Sequence, residues 1–192
     1  MKKKLLCLVL AAIMIFAFAA CNGGTNDDQS DSGNDAQGSD KIKVGILAPL
    51  TGDAAQYGIA ASNAAKLYID QVNAAGGING KQIEYVVLDE KGQAADAVTA
   101  YNNLVGQGIT ALIGDVTTAP TVAVATESAA QNIPMITGTA TASAVTVDPD
   151  TGAVRHNVFR SCFIDPFQGE KMAEFAKEVL GAKTAAIIFN TG

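Results

Sequence analysis

Tryptophan is absent from the 192-residue sequence, and aromatic residues make up only 6% of it. The core must therefore be built mainly from aliphatic and small side chains. These are plentiful. Hydrophobic residues account for 48% of the chain, and its many alanines and glycines suit helices packed closely on a sheet. The length fits one domain of ordinary size. Positive charge is also scarce: 13 Lys and Arg stand against 19 Asp and Glu, giving a formal charge of -6 and a pI near 4.6. That balance argues against a nucleic-acid partner, because phosphate binding needs a basic patch.

Motifs that carry catalytic chemistry are missing too. The single histidine, His156, lies in a polar turn with no His or Cys at ligand spacing, so no metal site is expected. The turn after the first apolar run, "APLTGDAAQYG", contains neither G-x-G-x-x-G nor G-x-x-x-x-G-K-[ST]. Asp89 stands where a ribose-binding acid might, but it lacks the glycine fingerprint that would give it that role. There is no G-x-S-x-G elbow and no evident base. The expectation is a protein that is not an enzyme and that uses no cofactor.

The first 21 residues, "MKKKLLCLVLAAIMIFAFAAC", begin with Lys2, Lys3 and Lys4 and continue in an apolar run from Leu5 to Ala20. This pattern is a secretory leader, and the run is short for a membrane span. It ends at Ala19-Ala20-Cys21, which resembles a bacterial lipoprotein cleavage box, with Phe18 where that box usually has Leu. The resemblance implies a signal peptide over residues 1–20 and a lipid on Cys21. Cys7 leaves with the leader and Cys162 stands alone, so the mature chain has no intramolecular disulfide and depends on its core. Cys162 is expected to be a small buried apolar residue. Residues 22–40, "NGGTNDDQSDSGNDAQGSD", hold one hydrophobic residue, Ala36, and read as a disordered tether.

From Lys41 the texture changes. Apolar runs at "KIKVGILAPL", "KQIEYVVLDE", "TALIGD" and Ile133–Thr137 read as strands. Helical periodicity fills the gaps at Ile59–Ala75, Ala94–Gln107 and Ala119–Gln131. The first helix shows Ala60, Ala64, Leu67, Tyr68 and Val72 on one face, and glycines in "AAGGING" end it. The second shows Ala97, Tyr101, Leu104 and Val105. This regular alternation, with strands apolar on both faces, predicts an α/β fold: a parallel sheet with helices on both faces. An acidic turn or hairpin then leads to a strand near Val158–Arg160. Asp165 is placed to cap a further helix, with Pro166 in its first turn and a stripe of Met172, Phe175, Ala176 and Val179. That stripe would stand exposed unless it packs elsewhere. "KTAAIIFN" reads as one more strand. A strand with no following helix suggests that the chain is a fragment of a longer protein.

Ligands of such sheets bind beyond the carboxyl ends of the strands. Hydroxyls gather there. Thr117 and Thr118 follow the third strand, and Thr118 is a natural helix N-cap. Thr137, Thr139 and Thr141 alternate at the end of the fourth. A plain cap explains Thr118. A hydroxyl beside bare amides at a helix start also makes an anion site. The two hydroxyl-rich loops could together hold a small carboxylate.

Five stretches carry a family resemblance: "IKVGILAPLTGDAAQYG", "AAGGINGKQIEYVVLD", "GITALIGDVTTAP", "IPMITGTATA" and "VFRSCFIDPFQG". In order and spacing, Lys41 to Gly192 resembles the leucine/isoleucine/valine-binding proteins of branched-chain amino-acid ABC transporters. The resemblance implies a type I periplasmic-binding fold, in which two lobes close on a ligand. The first lobe would run over residues 41–164, and residues 165–192 would begin the second. It implies that Thr118 and Thr141 receive the ligand α-carboxylate. The Thr139 carbonyl and the Thr141 hydroxyl would hold the ammonium, with Ala140 between them in the same loop. Tyr57 would stand near the ligand, and Asp165 near the crossover between lobes. An acid and aromatics of the second lobe would lie beyond Gly192. The implied partners are an amino acid or small amide, an ABC permease with its ATPase, and the membrane through lipid at Cys21. A urea- or amide-binding transport component, or a sensor of the same fold signalling to a membrane receptor, is the alternative.

Overall fold

The apolar runs become parallel strands because each carries a hydrophobic row on both faces. In the computed structural model, which describes residues 41–189, β1 is Ile42–Ala48, β2 Ile83–Asp89, β3 Ala111–Ile113, β4 Met135–Thr137 and β5 Val158–Arg160. They form one sheet in the order β2-β1-β3-β4-β5, parallel at every pairing. Helices α1 (Ala55–Ala74), α2 (Ala94–Gly106) and α3 (Thr118–Gln131) join the first four strands. A 3₁₀ turn at Ser143–Val145 and a hairpin bridged at Val147 and Val154 lead into β5, and α4 (Asp165–Glu178) follows. The leader, the tether and Cys21 lie outside the described residues.

The register sorts side chains to the two faces. Val86, Gly45, Leu112, Met135 and Val158 form one row across all five strands, and Val87, Ile46, Ile113, Ile136 and Phe159 form the next. Successive residues of a strand point to opposite faces. The first row meets α2 and α3. There Tyr101 and Leu104, Val124 and Ala125, and Val145 of the 3₁₀ turn pack with Leu112, Met135 and Val158 into the core. Gly45 makes room for this packing, since a Cβ there would stand 2.9 Å from Leu104 Cδ1.

The second face carries α1, which lies over β1 and β2. Over β3, β4 and β5 it stays open as an apolar groove bordered by Tyr68, Val72, Ile113, Ile136 and Phe159. Ile136 is 43% exposed and Phe159 53%. Helices thus occupy both faces, as expected, but one face is only partly covered.

Several local expectations are corrected. Helix α1 starts a turn early, and it buries Gly58, Ser62 and Ile69, not Leu67 and Tyr68, which are exposed. Small residues let the helix axis approach β1 closely, and that closeness outweighs the larger side chains in choosing the face. Thr117, not Thr118, precedes α3, and Ile164 precedes α4. Neither supplies a side-chain cap, and Asp165 sits inside the first turn of α4. The stripe on α4 stands in solvent at Met172, Phe175 and Val179. Residues 183–189 form no strand, because an apolar run becomes a strand only beside a hydrogen-bonding neighbour. Cys162 is half-buried, its thiol 3.5 Å from the Ala140 carbonyl. The glycine stop after α1 is present: Gly76 and Gly77 take φ of 105° and 76°.

Candidate functional site

The strand order reverses at β1. The chain leaves β1 toward β2 on one side and returns to β3 on the other, so the loops beyond β1 and β3 diverge. Such a switch point leaves a crevice at the carboxyl edge of the sheet.

The loop after β1 is fixed by Asp89. Its Oδ1 accepts the amides of Leu50 at 2.8 Å, Lys91 at 2.9 Å and Thr51 at 3.3 Å, and Oδ2 accepts the Thr51 hydroxyl at 2.6 Å. Burial pushes this carboxyl up, but the hydrogen bonds from the Thr51 hydroxyl and these amides outweigh it and hold it below its ordinary value. Asp89 therefore shapes the loop, with its oxygens already occupied. Tyr57 stands in the first turn of the following helix, 62% exposed.

The loops after β3 and β4 are tied together by alternating threonines. The Thr137 hydroxyl donates to the Asp115 carbonyl and the Thr139 hydroxyl to the Val116 carbonyl, each at 2.6 Å. Thr137 Oγ1 also accepts the Ala140 amide at 3.2 Å. Two of the three alternating hydroxyls are thus committed to architecture. The third, on Thr141, has no hydrogen-bond partner among the described residues, and neither has the Thr118 hydroxyl. Both residues are half-buried. The Thr141 carbonyl accepts the Asp165 amide at 3.2 Å, which links the start of α4 to this loop.

The start of α3 is bare. Thr117 makes no side-chain cap, and its buried Oγ1 has no partner among the described residues. The third residue of the helix, Pro120, has no N–H, and the Thr121 amide turns back to the Thr117 carbonyl. The amides of Thr118 and Ala119 remain as orphan donors at the positive end of the helix dipole. The structure therefore brings Thr118, Thr139, Ala140, Thr141 and Asp165 into connected loops at one edge, with Tyr57 at the end of the neighbouring loop.

Two buried acids escape sequence reasoning. Glu90, just after β2, is 0% exposed and Asp115, after β3, is 1% exposed. Asp115 lines a cavity of about 230 Å³ beneath α1, with Ser62, Val116, Gly138 and Thr139. Burial, reinforced by the Glu90 charge, pushes the Asp115 carboxyl up to about 8. The available signal was an acid closing the apolar run "TALIGD".

A family model described as "Periplasmic binding protein" matches residues 41–191. The chain belongs to the periplasmic binding protein family. It is 35% identical over 152 residues to the Leu/Ile/Val-binding protein homolog 3 of Brucella melitensis, covering 79% of this chain and 40% of that one. It is 32% identical over 149 residues to the leucine-, isoleucine-, valine-, threonine- and alanine-binding protein of Pseudomonas aeruginosa, covering 78% and 39%. Among solved structures, it superposes on the branched-chain amino-acid transporter substrate-binding protein LivJ of Streptococcus pneumoniae, in complex with isoleucine. The TM-score is 0.66 and the identity 35%, over 74% of this chain and 40% of that one. The leucine-binding protein LivK of Thermotoga maritima gives a TM-score of 0.64 at 31% identity, over 74% and 38%. The parallel sheet is thus that of the type I periplasmic-binding fold. The chain spans only about 40% of the length of these relatives.

Proposed function

We propose that this chain is the ligand-capturing part of an extracytoplasmic solute-binding lipoprotein that delivers a branched-chain or related amino acid to an ABC permease and its ATPase. The lipid on Cys21 would hold it at the membrane. Residues 41–164 supply one wall of the cleft, and Asp165 begins a second lobe. The observation that carries this is the pair of unpartnered hydroxyls, Thr118 and Thr141, and the two orphan amides at the start of α3, all in the linked loops after β3 and β4 at the carboxyl edge of the sheet. A carboxylate is the chemical match for those donors: it would accept from the hydroxyls and from the amides of Thr118 and Ala119, and the positive end of the α3 dipole would favour its charge.

The ammonium of the same ligand would be taken by the Thr139 carbonyl and Thr141. Thr139 is suited to this because its hydroxyl is already committed to the Val116 carbonyl, and its own carbonyl accepts no hydrogen bond among the described residues. Asp165 sits one hydrogen bond from Thr141 and adds negative charge on the ammonium side. Binding selects the closed arrangement of the lobes and needs no covalent chemistry.

Thr141→Val keeps the side-chain shape and removes the hydroxyl. In the full-length protein, titration calorimetry with leucine is expected to show a loss of about 1.5–3 kcal/mol, the range for a hydrogen bond to a charged group. Unchanged affinity would remove Thr141 from the site.

A further inference from the structure

Glu90 and Asp115 meet behind the loops just described. Among the described residues neither Glu90 oxygen has a hydrogen-bond partner, and neither has Asp115 Oδ2. Asp115 Oδ1 receives the Val116 amide. Two buried carboxylates that act directly on each other, with no cationic side chain acting on either among the described residues, would repel strongly in a medium that cannot screen them. The charges acting on the pair, among the described residues, are each other and Asp89. Asp89 makes the conflict worse, and its own oxygens are already occupied. From α1, Ser62 reaches the same cavity, but its hydroxyl donates to the Ile59 carbonyl at 3.1 Å. The amides of Gly92 and Gln93 pull Glu90 down, yet they stop short of full hydrogen-bond geometry. Burial still leaves Glu90 above its ordinary value.

We propose that Glu90 and Asp115 share one proton, carried on Asp115 and donated to Glu90, and that the pair acts as a positioning device for the ligand loops. This use of the pair rests on the proposed function. The shared proton would clamp the end of β2 to the loop after β3. That loop supplies the Asp115 and Val116 carbonyls on which Thr137 and Thr139 hang. Loss of the proton to solvent sets two negative charges against each other directly beneath these carbonyls. The Thr137–Thr141 loop then loses its fixed anchor. A second negative charge under the cleft also opposes a ligand carboxylate.

The sign of the linkage is definite. A carboxyl raised in the folded state takes up a proton on folding over the range between its unfolded and folded values. Stability therefore falls as pH rises from about 4 to about 8 and levels off above that. Asp89, and Asp148 with its bonds from Thr151, are shifted the opposite way and act only at lower pH.

The test compares the full chain with its Asp115→Asn and Glu90→Gln variants. Asn at 115 still donates to Glu90 but cannot titrate. Infrared spectra near pH 7 should show a protonated-carboxyl C=O band in the unsubstituted protein, absent from Asp115→Asn. The folded-to-unfolded ratio from urea unfolding should fall by up to about tenfold per pH unit across this range, the ceiling for one proton, and the fall should be clearly shallower in Asp115→Asn, where only Glu90 can still titrate. Glu90→Gln leaves Asp115 without its negative neighbour, so its titration should shift to lower pH. Leucine affinity of the full-length protein should weaken above about pH 8 and stay level in Asp115→Asn. No acid band together with a flat profile overturns the shared proton. So does a band that disappears when calcium or sodium is added, which would put a cation there. An acid band with a leucine affinity that ignores pH overturns the positioning role alone. If leucine does not bind at all, the proposed function fails, while the infrared and urea results still decide the proton.

Discussion

Gly58→Ala is expected to destabilise the protein by about 3 kcal/mol or more, at the upper end for adding a methyl group to a packed interface. Gly58 lies in the first turn of α1 and is buried. A Cβ there would stand 1.9 Å from the Pro49 carbonyl oxygen and 2.8 Å from Pro49 Cδ. Its backbone is ordinary helix, so the penalty is one of space and not of dihedral angle. Neither partner can yield cheaply. Pro49 continues β1, and the amides after it are held by Asp89. Urea unfolding of Gly58→Ala beside Gly106→Ala isolates the effect. Gly106 ends α2 with nothing within 4 Å of its would-be Cβ, so alanine there should be neutral or should stabilise by up to about 1 kcal/mol. Equal midpoints for the two variants would show that α1 does not sit on Pro49 as described. The same contact places Tyr57 at the crevice, so the variant should also disturb the loop after β1.

Tyr101→Ala should cost about 3–5 kcal/mol, the usual loss for emptying a large aromatic site in a core. Tyr101 is fully buried between the sheet and α3. Its hydroxyl donates to Gln131 Oε1 at 3.3 Å, tying α2 to the end of α3. Tyr101→Phe removes that long bond alone, and about 1 kcal/mol is expected. The gap between the two variants measures packing without the hydroxyl. If Phe costs as much as Ala, the hydrogen bond and not the ring is what holds the helices.

The contrast between these residues shows what a linear sequence exposes. Ala97, Tyr101 and Leu104 are legible because a helix with one apolar stripe declares its buried side. The face of α1 is not legible in that way. Its contact is made by Gly58 and Ser62, and small residues carry no hydrophobic signal even when close approach makes them decisive. The strands were legible as apolar runs, but residues 183–189 have the same texture and remain unpaired. Hydrogen-bonding neighbours, not composition, complete a strand.

The hydroxyl clusters were visible as clusters. The division of labour within them was not. Whether Thr137, Thr139 or Thr141 points into the structure depends on which carbonyls the loop after β3 presents. Glu90 and Asp115 lie 25 positions apart, and they meet only because β2 and β3 flank β1 in the sheet. That fact belongs to the strand order, which alternation alone leaves open. Asp89 stands at a strand end, the position of a ribose-binding acid in nucleotide folds. Its four hydrogen bonds show the commoner use of such an acid, the shaping of the next loop.

The open row of Ile113, Ile136 and Phe159 has a consequence for handling the protein. An apolar groove of this kind behaves like a detergent-seeking surface in solution. Sulfate, which strengthens the burial of apolar area, should drive copies of the chain together, and dilution should part them again.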